Sequence, residues 1–176
     1  EIDDKKYTVD NKGNIVDDKG NIFKEAKDVA DWLKSVNVDD SSEDDRNLPP
    51  KVSKDTVKII LEKLRNAKRP VIYAGGGIRL SGGFSEFRKA MEKLNVPVVT
   101  YWNSIDLIED GNPLYVGRGG NMGDRPGNFA VQNADVLLTI GTRISIRQTG
   151  YNFDTWAREA EVIMVDIDRA EMKKHT

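Results

Sequence analysis

The segment from Arg69 to Ile78, RPVIYAGGGI, constrains the fold of this chain more than any other. Four apolar residues lie between Pro70 and Gly75, a run too short for a helix. Their β-branched and aromatic character predicts a strand that is buried on both faces. Because the three glycines that follow carry no side chain, the backbone can take positive φ angles and a ligand can approach it closely. The segment therefore predicts a phosphate site, unless the glycines only form a tight strand-to-helix turn.

Length and charge limit the classes of function. A chain of 176 residues can hold one domain with a sizeable core plus an appendage. Its 27 Lys and Arg residues against 29 Asp and Glu residues give a net charge of -2, which favours no nucleic-acid partner. No apolar run approaches the roughly 20 residues of a membrane span, so we expect no membrane partner. The absence of Cys and of a signal-peptide pattern predicts a cytoplasmic protein, and both ends suggest a part of a longer one.

Residues 1–50 differ in composition from the rest and are predicted to form an interdomain linker. A short repeat, DNKGNIV followed by DDKGNIF, predicts two turns between three short strands, which is a small β-meander. Residues 25–34 place Ala26, Val29, Ala30 and Leu33 on one face of an amphipathic helix. The polar stretch 36–50 has too little apolar surface to fold by itself. Residues 51–176 are predicted to form the main domain.

Strands and helices alternate through the main domain. Ser53 caps a predicted helix with Val57, Ile60, Leu61 and Leu64 on one face, and a second helix follows over 83–94. A third is predicted near 126–132. Continuous apolar runs predict buried strands at 71–74, 97–102, 135–141 and 161–168, and 114–117 is a short strand or a turn. This alternation predicts an α/β fold with a parallel sheet between two layers of helices.

Three unusual segments follow strands of this sheet, where ligands bind in such folds. They are Gly75-Gly76-Gly77, Gly141-Thr142-Arg143 and Asp166-Ile167-Asp168. Glycine N–H groups suit phosphate oxygens, Arg143 can add a forked contact, and Asp166 can accept both ribose hydroxyls. Together they predict an adenine-nucleotide site, although each residue alone is as readily explained by a turn or a surface ion pair. The full G-x-G-x-x-G pattern is missing, because Leu80 occupies its last position.

Other kinds of catalytic site are not predicted. His175 is the only histidine, so His-based triads and His metal clusters are excluded. No P-loop sequence is present, and the acidic pairs of the linker suit solvation. From its residues alone, the chain is predicted to bind a nucleotide, with no catalytic residue and no metal ligand.

The order and spacing of these segments closely resemble the central domain of thiamine-diphosphate enzymes of the acetolactate synthase and pyruvate oxidase group. The match runs from about Lys68 to Glu171, and its motifs are AKRPVIYAGGG, PVVT, PLYVG, NADVLLTIGTR and VDID. The resemblance implies a Rossmann-like, three-layer α/β/α domain with strand order 3-2-1-4-5. A sixth strand would fall beyond Thr176, so five or six strands are expected.

The resemblance also implies which parts of the enzyme this chain lacks. Thiamine diphosphate and Mg would be bound in the parent enzyme by a pyrimidine-binding and a diphosphate-binding domain, neither of which is present. The chain alone is therefore expected to be non-catalytic. The parent is expected to be a homodimer or homotetramer that decarboxylates a 2-keto acid or ligates the product. A freestanding adenine-nucleotide-binding module is the alternative function.

In this family the central domain holds FAD or ADP. The cofactor-binding positions implied here are Gly75, Gly76, Gly77, Thr100, Gly119, Gly141, Arg143, Asp166 and Ile167. FAD-binding synthases resemble GARFDDRVTG, whereas this chain has GTRISIRQTG from Gly141 to Gly150. Ser145 and Ile146 replace the two aspartates, which leaves FAD, ADP and an empty site open.

Overall fold

The computed structural model describes residues 51–173 and, before them, three short strands. The strands β1 (Thr8–Val9), β2 (Ile15–Val16) and β3 (Ile22–Lys24) form an antiparallel sheet in that order. The chain divides into two compact units, Glu1–Leu48 and Pro49–Thr176. The helix predicted over 25–34, the polar stretch 36–50 and any strand beyond Thr176 lie outside the described residues.

The second unit alternates strands and helices along the chain. Its strands are β4 (Pro70–Ala74), β5 (Val98–Thr100), β6 (Tyr115–Arg118), β7 (Val136–Ile140) and β8 (Glu161–Val165). Its helices are α1 (Lys54–Asn66), α2 (Gly77–Leu80), α3 (Phe84–Leu94), α4 (Arg125–Asn133) and α5 (Ile146–Thr149). Short 3₁₀ turns occur at Ile105–Leu107, Phe153–Thr155 and Glu171–Lys173.

The five strands of this unit form one parallel sheet in the order β6-β5-β4-β7-β8. Tyr73 on the central strand β4 lies between Val99 on β5 and Thr139 on β7. Numbered along the chain, the order is 3-2-1-4-5, which confirms the predicted fold. The segment near Leu114, for which a strand or a turn was expected, forms strand β6.

Alternate residues of the strands face two separate cores, which is why the sheet has helices on both faces. Ile72 and Ala74 of β4 pack in one cluster with Phe87 and Met91 of α3. Val71 and Tyr73 face the other way, into a cluster that includes Val131 of α4. Because a strand projects successive side chains to opposite faces, its near-continuous apolar sequence is buried on both sides. The structure therefore has the predicted three layers.

Helix α1 begins as predicted but packs less completely. The Ser53 side chain accepts a hydrogen bond from the N–H of Thr56 at 3.1 Å, which caps the helix. Of the predicted apolar face only Leu64 is buried, because α1 reaches the core near its C-terminal end, while Val57 and Leu61 stay exposed. With 13 residues, α1 is the longest helix of the described residues, and none there is long and apolar enough to cross a membrane.

Candidate functional site

The segments that leave β4, β7 and β8 meet at one edge of the sheet, which we call the carboxyl edge because the strands end there. The N–H of Gly75 donates to the carbonyl of Ile140, and the N–H of Gly77 donates to that of Gly141, both at 2.9 Å. The N–H of Gly141 donates in turn to the carbonyl of Val165 at 2.9 Å. Backbone hydrogen bonds therefore join the first two predicted segments directly, and the third begins at the residue after Val165.

The glycine run is shaped by close packing and not by unusual dihedral angles. An added Cβ at Gly75 would overlap the carbonyl oxygen of Gly141, and one at Gly77 would lie 2.8 Å from the Cα of Gly141. None of the three glycines has a positive φ, so that expectation was wrong. Gly75 and Gly77 lack side chains because two backbone segments touch, and their N–H groups are used within the chain.

Gly76 differs from its two neighbours. A Cβ placed there would meet nothing closer than the amide nitrogen of Asn103, at 3.8 Å. Within the described residues, the Gly76 N–H donates no hydrogen bond. Gly76 therefore offers both the space and the free donor that a phosphate oxygen requires.

The turn after β7 holds three residues in the left-handed region, with φ of 57° at Gly141, 51° at Arg143 and 47° at Ile144. Glycine adopts this region without strain, but a β-branched residue such as Ile144 does so at a cost. Ile144 is almost fully buried in the core cluster that contains Tyr73. Burial of this side chain stabilises the turn and leaves the neighbouring Arg143 side chain in solvent.

Arg143 is held by an ion pair with a carboxylate from the end of the described chain. Its Nη2 donates to Oε1 of Glu171 at 2.6 Å, and Glu171 is only 6% exposed. The hydrogen bond and the negative charge of Glu171 raise the pKa of the Arg143 guanidinium. The Arg143 N–H approaches Oδ2 of Asp166 at 3.4 Å, while Oδ1 of Asp166 accepts the N–H of Asp168 at 2.9 Å.

The remaining predicted positions lie on either side of this group. Thr100 is fully buried, and its carbonyl accepts the N–H of Gly119 at 3.0 Å. A Cβ at Gly119 would lie 2.7 Å from the Tyr73 hydroxyl, so close packing requires glycine there. Ile167 is 63% exposed at the end of β8. The structure thus joins Gly119 to Thr100 beside the β4–β7–β8 group, with the Thr100 side chain below the surface.

Sequence reasoning did not identify a buried polar group beneath the site. Gln148 donates to Oγ1 of Thr142 at 2.6 Å and accepts the N–H of Ser145 at 2.9 Å. Ser145 and Gln148 form a capping box at the start of α5, which the spacing S-x-x-Q could have revealed. The Tyr73 hydroxyl is buried with no partner among the described residues, and burial raises the pKa of this phenol.

These groups fit a small anionic ligand with hydroxyl groups. The Gly76 N–H is a free donor, and the Arg143 guanidinium has further N–H groups besides the one that Glu171 accepts. Each oxygen of Asp166 can accept a second hydrogen bond. Among residues 51–173, no three acidic or histidine side chains are grouped so that they could bind a metal ion. The site therefore has N–H donors that suit an anion and a carboxylate that can accept from hydroxyl groups.

Comparison with known proteins identifies the family of the chain. Residues 57–176 match the model of the thiamine pyrophosphate enzyme central domain. The chain is 40% identical to a probable acetolactate synthase large subunit of Methanococcus aeolicus over 119 residues, which are 68% of this chain and 20% of that protein. It is 34% identical to the acetolactate synthase isozyme 2 large subunit of Escherichia coli over 64% of this chain and 20% of the relative.

A plant relative, acetolactate synthase 1 of Zea mays, is 34% identical over 73% of this chain and again 20% of its own length. The matched part of this chain therefore corresponds to about a fifth of the curated relatives, and the other domains of such an enzyme lie outside that part. The family match covers well over half of the chain, from Val57 to Thr176, and includes every strand of the parallel sheet. The chain belongs to the family of thiamine pyrophosphate enzyme central domains.

Proposed function

We propose that this chain is the central domain of an enzyme that decarboxylates a 2-keto acid, or ligates the product, with thiamine diphosphate. The relatives named as acetolactate synthase large subunits support this activity for the parent enzyme. In this proposal the domain itself acts as a scaffold, and the reaction takes place on the other domains. Thiamine diphosphate and its Mg ion would be held by the other domains, in a cytoplasmic homodimer or homotetramer.

The domain's own ligand in this proposal is an adenine nucleotide, either ADP or FAD. The observation that carries it is Gly76, whose N–H is free and whose Cβ position is open, between two glycines that are fully packed. A phosphate oxygen would accept the Gly76 N–H and a second contact from Arg143. The Asp166 carboxylate at the end of β8 would accept ribose hydroxyls.

Calorimetry and thermal unfolding of the chain with ADP and with FAD test the ligand. A nucleotide at ~100 times its dissociation constant should stabilise the native state by about 2.7 kcal/mol. Gly76→Val should abolish this shift because the side chain would fill the open position, and Asp166→Ala should weaken it. Absence of a shift with either nucleotide at millimolar concentration would refute the ligand proposal.

Gly111→Val is the matched control for Gly76→Val. A Cβ at Gly111 meets nothing within 4 Å, and Gly111 lies in the loop that leads into β6, so it precedes the strand at the edge of the sheet opposite to the site. This variant should bind nucleotide as the unchanged chain does. A nucleotide that bound all three variants equally would lie elsewhere. If the longer protein that contains this chain had no thiamine-diphosphate-dependent activity, the alternative function, an adenine-nucleotide-binding module without catalytic partner domains, would be favoured.

A further inference from the structure

The side-chain amide of Gln148 bridges the two ends of the strained turn after β7. Its Nε2 donates to Oγ1 of Thr142 at 2.6 Å, and its Oε1 accepts the N–H of Ser145 at 2.9 Å. Between these two residues lie Arg143 and Ile144, the non-glycine residues of this turn whose φ is positive. One amide group therefore spans the whole strained segment.

Gln148 lies beneath the surface of the site. Its exposed fraction is only 5%, and that of Thr142 is 6%. A buried amide needs partners for both its donor and its acceptor, because an unpaired buried polar group is costly. Within the described residues, the partners of both amide atoms belong to the turn. Gln148 therefore acts on the conformation of the turn and does not contact a ligand itself.

A different loop anchors Gln148 from the other side. The carbonyl of the preceding residue, Arg147, accepts the N–H of Asn121 at 2.8 Å. A Cβ at Gly120 would lie 3.2 Å from the Cα of Gln148, so the loop after β6 packs directly on α5. Gly120 in turn exchanges two hydrogen bonds with the Asn128 side chain on α4, at 2.8 and 3.0 Å. The amide is thus held independently of the turn that it supports.

The turn needs this support because its residues do not favour its backbone conformation. Arg143 and Ile144 adopt left-handed φ angles, which residues with a Cβ rarely take. Burial in the core holds Ile144, but the Arg143 side chain is 72% exposed. Such strained conformations persist where the surrounding structure holds them. Without the Gln148 amide, the turn would relax and would displace the Arg143 guanidinium.

We propose that Gln148 is a positioning residue of the site. Through Thr142 and Ser145 it fixes the turn that presents the Arg143 guanidinium to a phosphate group of the ligand. This inference rests on the proposed function, in which Arg143 contacts a phosphate oxygen. A donor that is held in place before binding loses less conformational entropy when the ligand arrives. Gln148 therefore raises the affinity for an anionic ligand without touching it.

NMR relaxation of the nucleotide-free chain tests the turn directly. The backbone order parameters of Arg143 and Ile144 should be about 0.85 in the unchanged chain and below about 0.6 in Thr142→Val, which removes the hydroxyl with little change in shape. Gln148→Met removes both hydrogen bonds and should have the same effect. Thr142→Ser retains the hydroxyl, so the turn should stay rigid.

Thr149→Val is the matched control. Thr149 follows Gln148 on α5 and is 9% exposed, but its hydroxyl contacts the carbonyl oxygens of Ser145 and Gly150, at 3.4 and 3.1 Å. This variant loses a buried threonine hydroxyl, as Thr142→Val does. It should therefore lower the Tm in a similar way and leave the order parameters of Arg143 unchanged.

Calorimetry with ADP and with FAD gives the second readout. The Kd of a nucleotide that binds the unchanged chain should rise about fivefold in Thr142→Val, which corresponds to the loss of one hydrogen bond. The reason is that a turn formed only part of the time binds with proportionally lower affinity. Thr142→Ser and Thr149→Val should bind as the unchanged chain does.

The results that would overturn the proposal differ from those that would refute the ligand. Order parameters that stay high in both Thr142→Val and Gln148→Met would overturn it, as would equal loosening of the turn in Thr149→Val. Loosening without any change in Kd would also overturn it, because Arg143 would then make no contact with the ligand. If neither nucleotide bound the unchanged chain, the proposed ligand would fail, and the order parameters alone would decide whether Gln148 positions Arg143.

Discussion

The two edges of the parallel sheet are built differently. At the amino edge, where the strands begin, the Asp135 carboxylate accepts the N–H groups of Lys68 and Arg69 at 2.7 and 2.8 Å. The guanidinium of Arg69 donates to the carbonyl of Asn133 at 2.6 Å. At the carboxyl edge, backbone packs directly against backbone at Gly75 and Gly141, and several residues adopt positive φ.

Under the proposed function, this difference separates stability from ligand binding within one sheet. Polar groups at the amino edge satisfy one another, so that edge stabilises the β4–β7 pair. The carboxyl edge holds a strained turn at Ile144 and a free N–H at Gly76. Strained backbone is concentrated at functional sites, where the surrounding structure holds it in place.

The comparison is tested most strongly by Gly75→Ala. The added Cβ would overlap the carbonyl oxygen of Gly141 and the Cα of Thr142, and backbone atoms cannot rotate away. We expect a loss of about 3 kcal/mol in the free energy of unfolding, measured by urea denaturation, because overpacking strains two central strands.

Gly76→Ala is the control for this variant. Its φ of -60° suits alanine, and its Cβ would lie 3.8 Å from the nearest atom. The free energy of unfolding should change by less than about 0.5 kcal/mol. If both variants lost the same free energy of unfolding, the packing of Gly75 against Gly141 would make no special contribution to stability, and the glycine run would serve only as a turn.

The fold could be predicted from the sequence because each strand and helix is indicated by the residues within its own short segment. The run VIYA and the run VLLTI are too short and too apolar for anything but buried strands, and both form strands. Because these strands alternate along the chain with segments of helical periodicity, a parallel sheet between two layers of helices follows. The glycine run was misjudged in its dihedral angles, because a run of glycines looks the same whether it needs positive φ or space.

The site could be predicted only in outline. Its location follows from the rule that ligands bind at the ends of parallel strands. The pairing of Arg143 with Glu171 joins residues 28 positions apart, and no local pattern indicates it. Likewise, the burial of Thr100 and the open position at Gly76 depend on neighbouring loops from other parts of the chain.

A second comparison of the edges uses one carboxylate from each. Asp124 caps α4 at the carboxyl edge and accepts the N–H groups of Gly127 and Arg118, both at 3.0 Å. Asp124→Ala and Asp135→Ala should each reduce the free energy of unfolding by about 1–2 kcal/mol in urea denaturation. Asn at either position retains one acceptor oxygen and should restore about half of the loss. A neutral Asp135→Ala would contradict the stabilising role of the amino edge.

The same two carboxylates predict a smaller effect of pH. Burial raises the pKa of Asp124 and of Asp135, but the backbone N–H groups that each accepts outweigh it and lower both values. Their stabilisation is therefore present above about pH 3.9, the ordinary value for Asp, and is lost as pH falls through the lower native values. Urea midpoints between pH 6 and 2 should fall more steeply for the unchanged chain than for Asp124→Asn/Asp135→Asn. Parallel curves would exclude this linkage.

The smallest expected effect comes from Tyr73, whose buried hydroxyl makes no hydrogen bond of good geometry within the described residues, although the Gln148 amide is close enough to act on its pKa. Tyr73→Phe removes an unsatisfied polar group, so the free energy of unfolding should stay constant or rise by up to about 1 kcal/mol.

The same residue predicts a loss of stability at alkaline pH. Burial raises the pKa of Tyr73 and outweighs the Gln148 amide, which lowers it. The free energy of unfolding is therefore unaffected by Tyr73 below about pH 10, the ordinary pKa of Tyr, and falls at higher pH because the unfolded phenol ionises first. Tyr73→Phe should therefore flatten the alkaline loss of stability, measured by urea denaturation at increasing pH. A clear loss of stability at neutral pH would mean that the Tyr73 hydroxyl is hydrogen-bonded, and that the carboxyl edge is as well satisfied in its polar groups as the amino edge.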